Sequence, residues 1–409
     1  MPAESLGSLY TVAMGSPPPD RAPFLRRVRI RNYKSIGQVD VEFGHLTVLV
    51  GRNGTGKSNF LDALRFVADS LQTSLDHALK SRGGIESVRR QSTNNPQNLA
   101  IGLDVFLPGR QTAVYTFEVA ALPRGGFSIR RESLRIESAD GSDVGSFEVE
   151  SGQLVGASLK NMSPAFPDRL YLVTASGFPQ FRSIYDFLVS TGFYNFNPEA
   201  MRELQTPDSG ELLHRDGSNI ASVIERLNGD QPEIAERIQS YLTTIVPEIE
   251  KVERIPLGPR ETLYFTQRTE GSSDRWALFA SSMSDGTLRA LGALVATTQR
   301  AGQGSTGLIG IEEPETALHP AAAGALMDAL REAASHTQIL MTTHSPDLLD
   351  QVDPETDCLL AVVSREGATT VAPIDPASKE AIRAHLYTPG ELLRMDQLEP
   401  SLPAEDRED

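Results

Sequence analysis

Thr47-Val48-Leu49-Val50-Gly51-Arg52-Asn53-Gly54-Thr55-Gly56-Lys57-Ser58 is the stretch on which the reading of the whole chain turns. A short run of β-branched residues and leucine feeds a glycine-rich turn ending in Lys-Ser, which fits G-x-x-x-x-G-K-[ST], the phosphate-binding P-loop. Glycines at 51, 54 and 56 let backbone N–H groups point at phosphate oxygens with no Cβ in the way. Lys57 is placed to reach the β- and γ-phosphates. Ser58 is placed to give its hydroxyl to Mg²⁺ and to open a helix, Ser58 to about Ser70, whose N-terminal dipole favours the anion. Asn53, Thr55 and Asn59 complete the candidate nucleotide-contacting set. The apolar spacing of Phe60, Leu61, Leu64 and Val67 supports a helix packed on a sheet.

The 409 residues suffice for one large or two ordinary domains, and 39% hydrophobic content supports a sizeable core. Lys and Arg number 38 against 54 Asp and Glu, a net charge of −16, which excludes a surface that is basic all over. Any DNA contact therefore needs a local patch. The single cysteine, Cys358, cannot form an internal disulfide and lies in an apolar run that reads as a buried strand. No apolar run approaches a membrane span, and the first residues lack the regions of a signal peptide, so the expected setting is cytoplasmic with no membrane contact.

Outward from the P-loop, residues 1–22 and 401–409 read as disordered tails around a single domain at 23–400. In the first strand Phe24, Val28 and Ile30 alternate with Arg27, Arg29 and Arg31, either a solvated sheet face or a basic stripe for DNA. Three alternating segments, Leu99–Leu107, Ala113–Leu122 and Phe127–Ile136, predict an antiparallel sheet, and the glycine and serine of Asp140–Gly156 predict an irregular connection. Residues 181–246 read as an inserted helical lobe without a heptad repeat. Strands and helices then alternate, implying a parallel sheet, with Leu359–Val363 and Thr369–Pro373 expected as edge strands. The fold class is α/β: a P-loop head with a parallel core sheet, an antiparallel β subdomain and a helical lobe.

Two further motifs carry chemistry. Leu308-Ile309-Gly310-Ile311 ends in Glu312-Glu313-Pro314-Glu315, which puts carboxylates at the C-terminal end of a buried strand, where open α/β sheets bind ligands. Glu312 is the candidate for the Mg²⁺ shell and Glu313 for the base that activates the attacking water. Met341-Thr342-Thr343-His344-Ser345-Pro346 closes another apolar strand with His344, a candidate contact for the γ-phosphate. The other histidines have no metal-like spacing, so Mg²⁺ is the one metal expected.

Ser284-Asp285-Gly286-Thr287 opening a helix, Ile311–Glu315 with Leu318-His319-Pro320, Thr343-His344-Ser345-Pro346 and the opening Ile30-Arg31-Asn32-Tyr33-Lys34-Ser35 together resemble the predicted-ATPase branch of the SMC/RecF-like ABC-class ATPases. The resemblance covers most of residues 24 to 400. It implies ATP as ligand and an ABC-type head that dimerises around two ATP molecules. It implies that Ser284 and Gly286 form a signature loop contacting the nucleotide of a second subunit, with Thr316 and Ala317 in the adjoining loop. It also implies a switch or motor role, in anti-phage defence with an effector nuclease or, alternatively, as a RecF-type DNA-binding repair ATPase without an effector. Met-Ser-Asp-Gly-Thr differs from the transporter signature Leu-Ser-Gly-Gly-Gln and disfavours a transport subunit. Glu312 stands where many relatives carry Asp, and Gln91 and Gln180 are the candidates for a Mg²⁺-sensing glutamine.

Overall fold

The computed structural model describes residues 23–92, 98–123, 125–268, 275–298 and 307–401; the two expected tails, apart from Ser401, lie outside them. Its strands in chain order are β1 (Phe24–Tyr33), β2 (Ile36–Glu42), β3 (Leu46–Val50), β4 (Asn98–Leu107), β5 (Gln111–Ala121), β6 (Phe127–Glu137), β7 (Asp143–Glu150), β8 (Gln153–Ala157), β9 (Gly192–Tyr194), β10 (Ile249–Leu257), β11 (Arg260–Arg268), β12 (Arg275–Phe279), β13 (Leu308–Glu312), β14 (Gln338–Thr343), β15 (Cys358–Arg365) and β16 (Ala368–Pro373). Thirteen of them form one sheet in the order β8-β7-β6-β5-β4-β1-β2-β16-β15-β3-β14-β13-β9, while β10-β11-β12 form a small sheet apart.

The half of the large sheet that carries the P-loop is parallel. β3 lies between β14 and β15, and β13 lies between β14 and β9, all in parallel register. Every residue of β3 is buried, as a parallel strand covered on both faces requires. Leu49, Leu340, Leu308 and Leu360 face one apolar cluster, which includes Phe60, Leu61 and Leu64 of the P-loop helix (Lys57–Gln72). Val48, Met341, Ile309 and Ala361 face the other, with the helices Asp285–Thr297, Ala323–Ala334 and Pro232–Ile245. The strict alternation between two cores keeps the C-terminal ends of β3, β13 and β14 together at one edge.

Three sequence expectations are corrected. β15 and β16 are interior strands, linking the parallel core to β2 of the antiparallel half, because Leu359, Leu360, Ala361 and Val362 are buried on both faces. Asp140–Gly156 contains β7 and β8; Gly145, Phe147 and Val149 alternate inward along β7, a pattern masked by the glycine and serine around it. The stretch 181–246 is not purely helical, since β9 inserts Gly192-Phe193-Tyr194 beside β13. Three residues, one a glycine, are too few to show a period of two.

The antiparallel half is pinned by one buried carboxylate. Glu132 of β6 is 0% exposed and accepts hydrogen bonds from Tyr115 Oη at 2.9 Å, Leu172 N at 2.9 Å and Tyr171 N. Burial pushes its pKa from the usual 4.5 up to about 7, against the pull of those three donors. A raised acid pKa means that the folded state binds the extra proton, so its stabilising share is present below 4.5 and is lost as pH rises to about 7. We expect unfolding free energy to fall by about 3 kcal/mol across that window on this account. In Glu132→Gln the corresponding slope should disappear, whatever its absolute stability. Denaturant titrations at pH 4.5 and 7.5 check this, and equal slopes in both proteins would refute the assignment.

Candidate nucleotide-binding site

The P-loop joins β3 to the helix Lys57–Gln72, and its last turn is set by packing as well as by backbone freedom. Gly56 has φ 104° and caps the helix without a side-chain hydrogen bond. The first-turn N–H groups therefore keep their donors for an anion. A Cβ on Gly56 would lie 2.1 Å from Thr369 Oγ1, so only glycine fits. Thr369 in turn donates to Thr55 O at 2.8 Å and meets Ser35 Oγ at 2.7 Å, while Asn59 Nδ2 donates to the same Ser35 Oγ at 2.7 Å. Asn59 thus braces the loop in this structure. Thr55 Oγ1 donates to Arg52 O, Ser58 is exposed at the helix start, and Asn53 and Gly54 are exposed at the loop's tip.

Parallel register brings the other motifs to this point. Thr343 of β14 pairs with Val50, and Glu312 of β13 pairs with Thr342. The residues that follow each strand therefore converge on Gly51. Lys57 is 5% exposed; its Nζ donates to Gly51 O at 2.7 Å and Arg52 O at 3.1 Å and stands 3.7 Å from Glu313 Oε1. Burial lowers the Lys57 pKa and the Glu313 carboxylate opposes that shift, so a bound anion there would meet a cation with little water around it. His344 Nδ1 lies 3.0 Å from the same Glu313 oxygen, close enough for a charge contact though not aligned as a hydrogen bond. Glu313 has φ 43° and donates its N–H to Thr342 O at 3.1 Å, a left-handed turn that directs the carboxylate back over the strand ends.

Glu315 differs. It is 7% exposed, accepts from Thr343 Oγ1, leaves Oε2 without a partner, and has a pKa raised by burial against that hydrogen bond. Burial works against its charged form and Thr343 holds it in the interior, which suits a structural carboxyl more than a base.

Glu312 points elsewhere. Its Oε1 accepts from Arg215 Nη2 at 3.1 Å, and its side chain is 15% exposed. Arg215 escapes motif reading because it lies 97 residues upstream in a loop whose sequence, His214-Arg215-Asp216-Gly217, signals only a turn. Among the described residues no group of three or more His, Cys, Asp or Glu could hold a metal ion. The Ser58 hydroxyl at the P-loop and the Glu312 carboxylate at the end of β13 are hard oxygens of the kind Mg²⁺ takes when phosphates and water complete its shell.

Ser284 is exposed and caps the helix Asp285–Thr297, its Oγ accepting from Thr287 N at 3.2 Å. Gly286 is buried, and a Cβ there would lie 2.2 Å from Ala317 O. The loop after Glu315 is thus seated on the start of this helix within one chain. Gln91 and Gln180 stand outside the cluster: Gln91 Nε2 donates to Glu86 O, and Gln180 packs beside Gly145 of β7. The arginine stripe is not a set of free cations. Arg26 faces Glu42, Arg27 holds Asp40 through two hydrogen bonds, Arg29 pairs with Asp104, and Arg31 stands 3.6 Å from Glu118. Such exposed pairs stabilise by only about 0–1 kcal/mol, but they cancel the local field that phosphate attraction needs. The solvated-face reading of the stripe fits this charge balance.

A P-loop, a strand-end carboxylate and a strand-end histidine on adjacent parallel strands, joined to an antiparallel half, define an SMC/RecF-like ABC-class ATPase head. The profile of the family described as "AAA domain, putative AbiEii toxin, Type IV TA system" matches residues 46–350, and the chain belongs to that family. It is 30% identical over 147 residues to the chromosome partition protein Smc of Mycoplasma pneumoniae, covering 36% of this chain and 13% of that one. It is 41% identical over 46 residues, 11% of this chain, to the DNA replication and repair protein RecF of Streptococcus uberis. The chain thus spans 13% of the length of each of these curated relatives. Among solved structures, an Smc head bound to the C-terminal winged-helix domain of ScpA superposes with TM-score 0.55 at 14% identity, over 87% of this chain and 99% of that one. An Smc head with an extended coiled coil, bound to the C-terminal domain of ScpA derived from Pyrococcus furiosus, gives TM-score 0.54 at 14% identity, over 89% and 99%. These likenesses show the fold.

Proposed function

We propose that this protein binds ATP with Mg²⁺ at the P-loop and hydrolyses it, with two chains closing around two nucleotides and separating after hydrolysis. The observation that carries the reading is the single cluster in which Glu313 Oε1 lies 3.7 Å from Lys57 Nζ and 3.0 Å from His344 Nδ1. Lys57 gives up its contacts with the loop carbonyls for phosphate oxygens, and the first-turn N–H groups of Lys57–Gln72 hold the same phosphates. Ser58 and Glu312 would hold Mg²⁺, which would supply charge neutralisation to the phosphates. Glu313 orients the attacking water and takes its proton, and His344 reports the presence of the γ-phosphate to β14.

The biological role proposed is that of an ATP-driven switch in anti-phage defence, paired with an effector nuclease. The family's description as a putative toxin of a Type IV TA system and the Smc heads bound to ScpA domains support a head that works with another protein. The test is phosphate release and light scattering on the purified chain. We expect Mg²⁺-dependent turnover, a doubling of mass with a non-hydrolysable ATP analogue, and loss of both in Lys57→Ala. A wild-type chain that binds no ATP would overturn the proposal.

A further inference from the structure

The Arg215–Glu312 pair has no place in the scheme above, yet the fold takes care to build it. The backbone of Arg215 continues the edge of the core sheet: Asn195, directly after β9, donates its N–H to Arg215 O at 2.9 Å, and Asn197 N donates to Asp216 O at 3.0 Å. β9 pairs with β13 through Tyr194 and Ile311, the residue before Glu312, so the two side chains start from adjoining positions. The loop behind Arg215 is fixed by Asn219, which is 2% exposed, accepts from His214 N at 2.7 Å, and donates to Asp208 Oδ2 at 2.8 Å and Leu212 O at 2.9 Å. Asp216 Oδ1 accepts from Ser218 N at 3.0 Å and closes the turn. A guanidinium is thus held from a rigid base against the one carboxylate assigned to the metal.

We propose that Arg215 is a positioning residue that serves as the internal counter-ion of Glu312 and exchanges with Mg²⁺ when the metal–nucleotide complex binds. The inference rests on the assignment of Glu312 to the metal. Before binding, Arg215 keeps Glu312 aimed and neutralised, so the site does not confront the triphosphate with an uncompensated carboxylate beside Glu313. On binding, the cation that Glu312 meets is the metal, and Arg215 is released. Because coupling is reciprocal, the same exchange makes the loop His214–Asn219 sensitive to the nucleotide state.

The experiment measures the affinity of a fluorescent ATP analogue with EDTA and with Mg²⁺. Removing Arg215 leaves a more negative site when metal is absent and an unmasked Glu312 when metal is present. The ratio of the two dissociation constants, EDTA over Mg²⁺, should therefore rise in Arg215→Ala by about 5-fold or more, the low end of ordinary coupling between sites. Arg215→Lys keeps the charge without the planar fork and should fall between the two. In a Glu312→Gln background, Arg215→Ala should leave the ratio unchanged. A purely structural role weakens both affinities alike, so an unchanged or smaller ratio in Arg215→Ala with folded protein overturns the proposal. If the wild type binds the analogue and Lys57→Ala does not, such a failure belongs to this inference alone; if the wild type binds nothing, the nucleotide reading falls and takes this one with it.

Discussion

Glu313→Gln should bind ATP about as well as the wild type and lose phosphate release by about 10²–10⁴-fold, the usual worth of a general base. The substitution keeps shape and hydrogen-bonding reach while removing the charge that takes the proton. Its neighbours decide why binding survives. Lys57, 3.7 Å away, is freed from its carboxylate partner and is no worse placed for phosphate, and the left-handed turn at residue 313 accepts Gln as it accepts Glu. With hydrolysis blocked and ATP still bound, the variant should accumulate as the closed dimer, which light scattering reads directly. Glu315→Gln is the control that separates the two carboxyls. Glu315 is buried in the interior, where burial works against its charged form and Thr343 holds it, so its loss should be far milder in turnover. Turnover near the wild-type rate in Glu313→Gln would remove the base from this position.

Legibility in the sequence followed the range over which each feature is encoded. The P-loop, β13 with its carboxylates and β14 with its histidine each depend on fewer than about 15 consecutive residues, and local hydrophobic runs with a terminal polar residue announce them. Their convergence was legible as well, since parallel strands of similar length must end at one edge. What the chain does not announce is partnership between distant segments. The continuous apolar run of β15 was visible, but whether a buried strand lies inside a sheet or at its border depends on β3 and β16, some 300 residues apart in sequence. Arg215 meets Glu312 only because β9, itself too short to be read, carries the backbone of its loop to the sheet edge. Gly286 was assigned from resemblance to nucleotide contact; the structure adds a local reason for it, the approach of Ala317 O, which no spacing rule contains. The arginines of β1 show the same limit. Their alternation was plain, whereas the carboxylates that neutralise them come from β2, β4 and β5.

Mixing two inactive variants, Lys57→Ala and Ser284→Arg, should restore ATP hydrolysis to roughly a quarter of the wild-type rate if the two sites of a symmetric dimer act independently. Each complete site is proposed to join one chain's P-loop to the other chain's Ser284. In the heterodimer the Ser284→Arg chain supplies an intact Lys57 and the Lys57→Ala chain an intact Ser284, which makes one good site and one doubly damaged site. Half of a randomly mixed population is heterodimeric, and half of its sites work. The structure makes the Ser284 substitution interpretable. Ser284 is exposed at a helix start and its side chain caps Thr287 N and meets Thr287 Oγ1, so arginine costs about 1 kcal/mol of local stability and no core packing. Gly286→Arg would be the wrong choice, because Ala317 O leaves no room for even a Cβ. Differently tagged chains, co-purified with ATP to count heterodimers and assayed for phosphate release, give the answer. Heterodimers without activity would show that the signature loop does not complete an independent site in its neighbour, the result expected if Ser284 and Lys57 served the same chain or if both sites had to fire together.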